Sequence, residues 1–226
     1  MALMIDRDRD EHARGRAPLA GWLTMGLAVF VGEGCSTPRP QPDPVPQPGA
    51  THRLEVSRHV STLLPAPRAD EILTEMGRVL QTRDGADDVA CNVEFVREGE
   101  VQILTVGTGS INTAQDFLAV NSAPGNVKVV NQINWCGGFA PNILGCTQLF
   151  RDSMIVVRYR EDLEGILWVH EFGHAQGLDH RASSTGVMNA TMDSNHRRVN
   201  SSECESFRWG ATVPNLIRGH QTTSHP

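Results

Sequence analysis

The sequence is poor in lysine and in aromatic residues, and it contains no long run of basic residues. Lysine and tyrosine each occur once, and aromatic residues make up 5% of the 226 residues. The formal net charge is -6 at pH 7. Nucleic acids and anionic membrane surfaces attract proteins through clustered positive charge. The composition therefore argues against both as partners, and no nucleic-acid binding is predicted.

The chain begins without an apolar run long enough to cross a bilayer. Its first apolar run, Ala17–Cys35, is interrupted by glycine and has fewer apolar residues than the roughly 20 of a membrane-spanning helix. Arg14 and Arg16 precede it. A short apolar core after positive charge is typical of a signal peptide. Residues 1–34 are therefore predicted to be a signal peptide that directs the protein to export.

Proline alternates with polar residues immediately after this run. The stretch CSTPRPQPDPVPQPGA has no core-forming content and predicts an extended tether over residues 35–50. Its first residue, Cys35, resembles the lipid-bearing cysteine of a bacterial lipoprotein, although Gly32 and Glu33 depart from the residues usual before such a cysteine. Two outcomes are open: a membrane tether through lipidated Cys35, or ordinary secretion.

Four further cysteines follow the predicted tether. An even number of cysteines in an exported protein predicts two disulfides, for which three pairings are possible. Cys136 and Cys146 flank the loop sequence CGGFAPNILGC, which favours their pairing and leaves Cys91 for Cys204. The alternative is that these cysteines are free buried thiols.

Hydrophobic spacing from residue 51 onward predicts a mixed α/β fold. Apolar residues at helical spacing predict a helix over Ala69–Arg83. Alternating or continuous apolar runs predict strands in NVEFVREGEVQILTVG, NVKVVNQI and SMIVVRY. A second helix is predicted over Arg160–Gly177. A last helix is predicted in NSSECESFRW, where Ser202 and Glu205 have capping-box spacing.

The stretch HEFGHAQGLDH carries three histidines at metal-binding spacing. His170 and His174 are four residues apart on one face of the predicted helix, so both imidazoles can reach one ion. Gly177 can adopt the positive φ that ends a helix and turns the chain back. His180 then becomes the third ligand. Three neutral histidines leave one coordination position open, as in a catalytic zinc site, and one catalytic Zn²⁺ is predicted.

Glu171 follows the first of these histidines. It projects roughly 100° round the helix from His170, so it can face the open position without being a ligand. A zinc-bound water has a pKa near 7, and a carboxylate within reach can accept its proton and pass it to a leaving amine. Glu171 is therefore predicted to be the catalytic general base in the hydrolysis of an amide bond.

The extended pattern HExxHxxGxxH resembles the motif of the metzincin superfamily of zinc metalloproteases. Met188 stands eight residues after His180, a spacing that resembles the Met-turn of matrixins. The resemblance implies that residues 51–226 form a metzincin-like catalytic domain, with a mixed twisted sheet, an active-site helix, the Met-turn and a C-terminal helix. It also implies a zinc-dependent endopeptidase whose substrate is a protein or peptide.

The same resemblance implies that an edge strand binds an extended peptide by strand addition. The run NVKVVNQI, residues 126–133, is the predicted edge strand, and the alternative is an ordinary core strand. Two other functions compete with the endopeptidase: a non-catalytic, zinc-stabilised surface binding protein, and a protease whose last ligand is a glutamate such as Glu203. Glu171 argues against the first, and His180 argues against the second.

The mass of the mature chain tests the lipoprotein prediction. If Cys35 is lipidated, protein extracted from membranes begins at Cys35 and carries the additional mass of a diacylglycerol. Intact-mass spectrometry measures this directly. A mature chain without the lipid mass would contradict the tether and leave ordinary secretion.

Overall fold

The structure, a computed structural model of the whole chain, describes residues 2–4, 49–83, 85 and 87–209. These residues belong to one structural unit. Nearly all of the predicted signal peptide and tether, with Cys35, lies outside the described residues. Within the part that is described, no helix has the length and apolar content needed to cross a bilayer.

The described residues form ten strands and four helices. In chain order they are β1 (Ala2–Met4), β2 (Ala50–Leu54), β3 (Val56–His59), α1 (Ala66–Leu80), β4 (Val93–Arg97), β5 (Gln102–Leu104), β6 (Ser110–Ile111), α2 (Ala114–Asn121), β7 (Val127–Val130), β8 (Gln132–Trp135), β9 (Phe139–Thr147), β10 (Met154–Val157), α3 (Glu164–Ala175) and α4 (Ser201–Trp209).

Most strands belong to one mixed sheet with the order β5-β3-β7-β10-β9-β8-β6, and β1 adds to β9. β5, β3, β7 and β10 run parallel to one another, and β6 is parallel to β8. β9 is antiparallel to β10, β8 and β1. β2 and β4 form a separate parallel pair. The predicted α/β class, with a mixed sheet, a histidine-bearing helix and a C-terminal helix, is confirmed.

β7 lies inside this sheet, between β3 and β10. All four of its residues are buried, as expected for a valine-rich strand covered on both faces. The prediction that NVKVVNQI is the substrate-binding edge strand is therefore wrong. The periodicity of a short apolar run does not say where its strand lies in the sheet.

The first predicted helix is present and begins earlier than the predicted Ala69. Pro65 is its N-cap residue and Pro67 lies in its first turn, where a missing N–H removes no helical hydrogen bond. α1 packs against β4 and α3. Its buried positions recur at helical spacing and comprise Ala69, Ile72, Leu73, Met76, Gly77, Val79 and Leu80.

α3 is shorter than the predicted span of Arg160–Gly177, and every one of its residues is buried. Glu164 at its start accepts hydrogen bonds from Arg68 of α1 at 2.8 Å and from Arg158 at 2.5 Å. Removing one partner of such a buried ion pair typically costs about 3–5 kcal/mol. These ion pairs hold the start of α3 against α1 and the end of β10.

Both predicted disulfides are present, Cys91–Cys204 and Cys136–Cys146. The segment between Cys136 and Cys146, predicted as a loop, is instead a β-hairpin, because most of it belongs to β9. The hairpin turns at Gly137, whose φ of +73° suits glycine.

Helix α2 is absent from the sequence-based predictions, although its start has a capping-box signal. Thr113 and Asp116 form that box. At α4 the predicted capping pair of Ser202 and Glu205 is wrong, because Glu203 bonds with Asn200 instead. Asn200 precedes the first helical residue, which is the position that a capping residue occupies.

Candidate metal centre

The C-terminal end of α3 turns the chain back towards the helix. Gly177 has a φ of +88°, and its N–H donates to the His174 carbonyl at 2.9 Å. The Leu178 N–H donates to the Gly173 carbonyl at 2.9 Å. These two bonds define a Schellman motif, in which glycine is favoured at the positive-φ position. A side chain at position 177 would also collide with the ring of Phe150.

This turn brings three imidazoles together. Nε2 of His174 is 3.1 Å from Nε2 of His170 and 3.2 Å from Nε2 of His180. The candidate ligand atoms of the three residues all lie within 4.8 Å of one another. Within the described residues, this is the one cluster of histidine, cysteine or acidic side chains arranged to hold a metal ion.

Backbone carbonyls determine where two of the rings carry their proton. Nδ1 of His170 donates to the Val187 carbonyl at 2.7 Å, and Nδ1 of His174 donates to the Leu178 carbonyl at 2.7 Å. A carbonyl oxygen only accepts, so Nε2 of each neutral ring presents a lone pair. The contact between the two Nε2 atoms is therefore a repulsion between lone pairs. A cation placed between them would turn that repulsion into attraction.

Two of the three nitrogen separations fit a small tetrahedral metal ion. With Zn–N bonds of about 2.0 to 2.1 Å at tetrahedral angles, two ligand nitrogens lie roughly 3.3 to 3.4 Å apart. The separations of 3.1 and 3.2 Å are close to this value. Three histidine donors leave one position of a tetrahedron open. His170, His174 and His180 thus form a candidate metal site.

Burial keeps these imidazoles neutral. It lowers the pKa of His170 well below the ordinary histidine value and lowers the pKa of His174 to about 4. The pKa of the half-buried His180 is lowered for the same reason. The neutral imidazole is the form that binds a metal ion.

Met188 packs beneath the histidine-bearing helix. It is completely buried, and a Cβ at Gly173 of α3 would lie 3.0 Å from its Cε. The next residue back, Val187, supplies the carbonyl that orients His170. Met188 is therefore a packing residue of the turn that supports the site.

Glu171 is buried between α3 and β9. None of its surface is exposed, and neither carboxylate oxygen makes a hydrogen bond of normal geometry within the described residues. Burial raises the pKa of Glu171 to about 8, although the neighbouring Thr147 hydroxyl acts in the opposite direction. A nearby cation would lower this pKa, because opposite charge favours the ionised carboxylate.

Gly145 of β9 leaves the space that Glu171 occupies. A Cβ at position 145 would lie 2.5 Å from Cγ and Cδ of Glu171 and closer still to Oε1. Gly145 is not among the site residues predicted from the sequence. The available signal was a lone glycine in the apolar run ILGCT, since glycine inside a strand often marks a close approach by another group.

One edge of β9 runs beside this glycine. On one side β9 pairs with β10 at positions 145–147, and on the other side β8 pairs only with its first half. β1 continues along that second side, antiparallel, over Ile143–Cys146. The side of β9 that β8 leaves uncovered therefore lies next to Gly145, against which Glu171 packs.

A separate cavity of about 230 Å³ adjoins α3. Phe172, Ala175 and Gln176 of α3 line it together with residues of β2 and of the turn before β10. None of the three clustered histidines lines this cavity, so it is distinct from the candidate metal centre.

Comparison with known proteins gives structural resemblance only. No family model matches the chain, and no curated protein matches it. A solved structure of mirolysin in complex with compound 9 is 15% identical, with a TM-score of 0.45, over 71% of this chain and 91% of that chain. Mature Tannerella forsythia mirolysin in complex with a cleaved peptide is 14% identical, with a TM-score of 0.46, over 71% and 92%. Similarity this low does not establish a shared function.

The low histidine pKa values predict that protonation of the ligands weakens metal binding little between pH 7.5 and 6. In an unstructured peptide covering residues 170–180, three histidines with a pKa of about 6.5 would lose roughly 50-fold in zinc affinity over this range through protonation. The pKa of His174, about 4, lies below the range, so its folded ring is already deprotonated at pH 6. In the Glu171→Gln protein, where metal binding releases no glutamate proton, we expect a change below about tenfold.

Zinc titration against a competing chelator, for the metal-free Glu171→Gln protein and for the peptide, measures this difference. Equal pH dependence in the two would contradict the burial of the ligands.

Proposed function

We propose that this protein is a zinc-dependent endopeptidase of the metzincin type. The observation that carries the proposal is a pair of features on adjacent residues of α3. His170 belongs to a cluster of unprotonated imidazole nitrogens, and Glu171 beside it is a fully buried carboxyl without an ion-pair partner among the described residues.

Zinc is the metal that best matches the three donors. Neutral imidazoles at tetrahedral spacing suit Zn²⁺, and an open fourth position is typical of its catalytic sites. A bound Zn²⁺ would supply Lewis acidity, which lowers the pKa of a coordinated water to about 7 and polarises a substrate carbonyl. The residues that would hold it are His170, His174 and His180.

The two buried glutamates of α3 differ in a way that supports a catalytic role for one of them. Glu164 and Glu171 are both fully buried. Glu164 is bound by two arginines, which explains its burial as part of the fold. Among the described residues Glu171 has no ion-pair partner, so its burial carries a desolvation cost that these residues do not offset with an opposite charge. This cost is explained if the Glu171 carboxylate must face a cation bound by the three histidines.

Glu171 acts in this mechanism as the general base. With a divalent cation nearby its carboxyl is ionised, since the pKa of about 8 belongs to the metal-free site. The carboxylate accepts a proton from the attacking water and donates it to the leaving amine. Exclusion of bulk water from its position strengthens both the attraction to the cation and the proton transfer.

The edge of β9 supports an extended peptide as the substrate. β1 already pairs there as an antiparallel strand, with Leu3 opposite Gly145. A substrate on the same edge would gain main-chain hydrogen bonds that do not depend on its sequence. Its backbone would pass beside the Glu171 carboxylate, which lies against Gly145.

The two competing functions are less well supported. A non-catalytic binding protein would not need a buried carboxyl at Glu171 that has no ion-pair partner among the described residues. For the protease with a glutamate ligand, Glu203 is already occupied, because its two oxygens accept from Nε and Nη2 of Arg181. The eight-residue interval from His180 to Met188 supports a matrixin-like arrangement of the Met-turn.

We also propose that the protein is exported. Its two disulfides support this location, because such bonds persist in oxidising compartments and are rare in the cytosol. Lipidation of Cys35 and a membrane tether through it remain predictions from the sequence.

Replacing Glu171 by glutamine separates catalysis from metal binding. Glu171→Gln keeps the size of the side chain and removes the base, so we expect peptide cleavage to fall by roughly 10²- to 10⁴-fold. Bound zinc stays at one ion per chain, because Glu171 is not a ligand. Cleavage of a fluorescently labelled unfolded protein and metal analysis measure the two effects.

Glu161→Gln is the matched control, since the Glu161 side chain is exposed just before the same helix, and it leaves both quantities unchanged. A Glu171→Gln variant with wild-type cleavage would refute the general-base role. A wild type that holds zinc and cleaves nothing would favour the binding protein.

A methyl group at position 145 tests whether the Glu171 side chain needs the space that Gly145 leaves for it. Gly145→Ala places Cβ within contact distance of the carboxylate, and a displacement of about 1 Å costs roughly 100-fold in rate. We therefore expect the rate of peptide cleavage to fall roughly 100-fold while zinc stays bound. Gly138→Ala is the control, because a Cβ there meets nothing within 4 Å in the same hairpin. Equal activity of the two variants would show that Glu171 does not need this space.

A further inference from the structure

The three clustered histidines are not held equally. His170 and His174 lie on α3, and a backbone carbonyl fixes each ring through Nδ1. His180 lies beyond the Schellman turn on a segment without regular secondary structure. Within the described residues, no comparable carbonyl bond orients its ring. Something else must therefore keep His180 at its distance of 3.2 Å from His174.

Arg181, the next residue, is anchored at both its backbone and its side chain. Its N–H donates to the Met188 carbonyl at 2.8 Å. Its Nε donates to one oxygen of Glu203 at 2.6 Å, and its Nη2 donates to the other at 3.0 Å. Two parallel bonds between guanidinium and carboxylate fix orientation as well as distance. Lysine cannot reproduce this geometry.

Glu203 is itself a fixed point. It is 5% exposed, and its second oxygen also accepts the N–H of Asn200 at 2.9 Å as part of the capping box of α4. The following residue, Cys204, is bonded to Cys91. α4 is thus fastened to the segment after α1, and Glu203 presents its carboxylate from a helix end that cannot shift freely.

The guanidinium also contacts the turn under the site. A Cβ at Gly186 would lie 2.6 Å from Nη2 of Arg181, so the guanidinium lies directly against that backbone. Gly186 starts the turn that carries Val187, whose carbonyl orients His170. Arg181 is therefore joined directly to His180 in the chain. It also contacts the turn whose Val187 carbonyl orients His170.

We propose that the Arg181–Glu203 pair is a positioning element that fixes His180 for metal binding. The proposal rests on the metal-binding role of the three histidines given under the proposed function. Neither residue of the pair is a ligand or a catalytic residue. Metal affinity and coordination geometry then depend on α4, which contributes no ligand of its own.

The test compares a neutral pair with the wild type. Arg181→Ala alone would leave the Glu203 carboxylate buried without its cation, which can unfold the protein. The double variant Arg181→Gln/Glu203→Gln avoids this, because it keeps the side-chain volumes and removes the charged fork. Glu203→Gln alone is the second variant.

Arg97→Gln/Asp70→Asn is the control for the loss of a forked ion pair, at a site where the carboxylate is half exposed rather than buried. Arg97 also forms a fork with its partner, at 2.8 and 3.1 Å, but it joins β4 to α1 and touches none of the three histidines. It therefore reports what the loss of one forked ion pair does to the fold alone.

Three quantities are measured on each protein. The first is zinc affinity by chelator competition. The second is the visible spectrum after Co²⁺ is bound in place of zinc, which reports coordination geometry. Thermal unfolding of the metal-free forms is the third. We expect zinc affinity to fall by roughly 10- to 100-fold in the Arg181/Glu203 variant, with an altered Co²⁺ spectrum. The metal-free Arg181/Glu203 variant should still unfold in one cooperative transition, because it leaves no buried charge unpaired.

The outcomes separate the two proposals. Wild type that binds zinc tightly, together with an Arg181/Glu203 variant of unchanged affinity and spectrum, would overturn the positioning role and leave the proposed function intact. A loss of affinity matched by the Arg97/Asp70 control would also overturn it. Wild type that binds no zinc would overturn both.

Discussion

The site depends on the close approach of three imidazole Nε2 nitrogens. Two of these nitrogens have their lone pairs fixed by carbonyls on the far sides of their rings, those of Val187 and Leu178. Lone pairs at 3.1 Å repel each other, so the fold brings together groups that are stable in this position only with a positive ion. The surrounding elements are best understood as the supports that oppose this repulsion.

Those supports come from distant parts of the chain. The Schellman turn at Gly177 brings the chain back to α3 and places the Leu178 carbonyl beside His174. The turn containing Met188 brings the Val187 carbonyl to His170 and packs against Gly173. The ion pairs of Glu164 and the disulfide to Cys204 fix the two helices on which these contacts depend. The orientation of each ring is therefore set by backbone atoms that are themselves constrained.

Local features of the site could be predicted from the sequence. The spacing of His170 and His174 follows from helix geometry, and the positive φ of Gly177 follows from the need to end that helix. The Cys136–Cys146 disulfide follows from proximity along the chain. Each of these depends on fewer than a dozen neighbouring residues, over which the chain has few alternative geometries.

Features that depend on the pairing of distant strands could not be predicted in this way. The position of β7 inside the sheet follows from its partners β3 and β10, which its own sequence does not specify. The same holds for Gly145, since its importance lies in the approach of Glu171 from another element. The capping pair at α4 shows a smaller failure of the same kind: Asn200 competes with Ser202 for the cap, and local spacing alone fits both.

The charges of the site explain how it can be buried before a metal binds. Burial holds the histidines neutral and raises the pKa of Glu171 to about 8, so at pH 7 the metal-free centre carries almost no net charge and avoids most of the cost of buried ions. A divalent ion reverses this balance, because its field favours the ionised carboxylate. Metal binding and loss of the Glu171 proton are therefore coupled. If Glu171 is the base, as we propose, it becomes ionised only when the metal ion is present, and the burial that keeps the metal-free centre uncharged also strengthens its attraction to a bound ion.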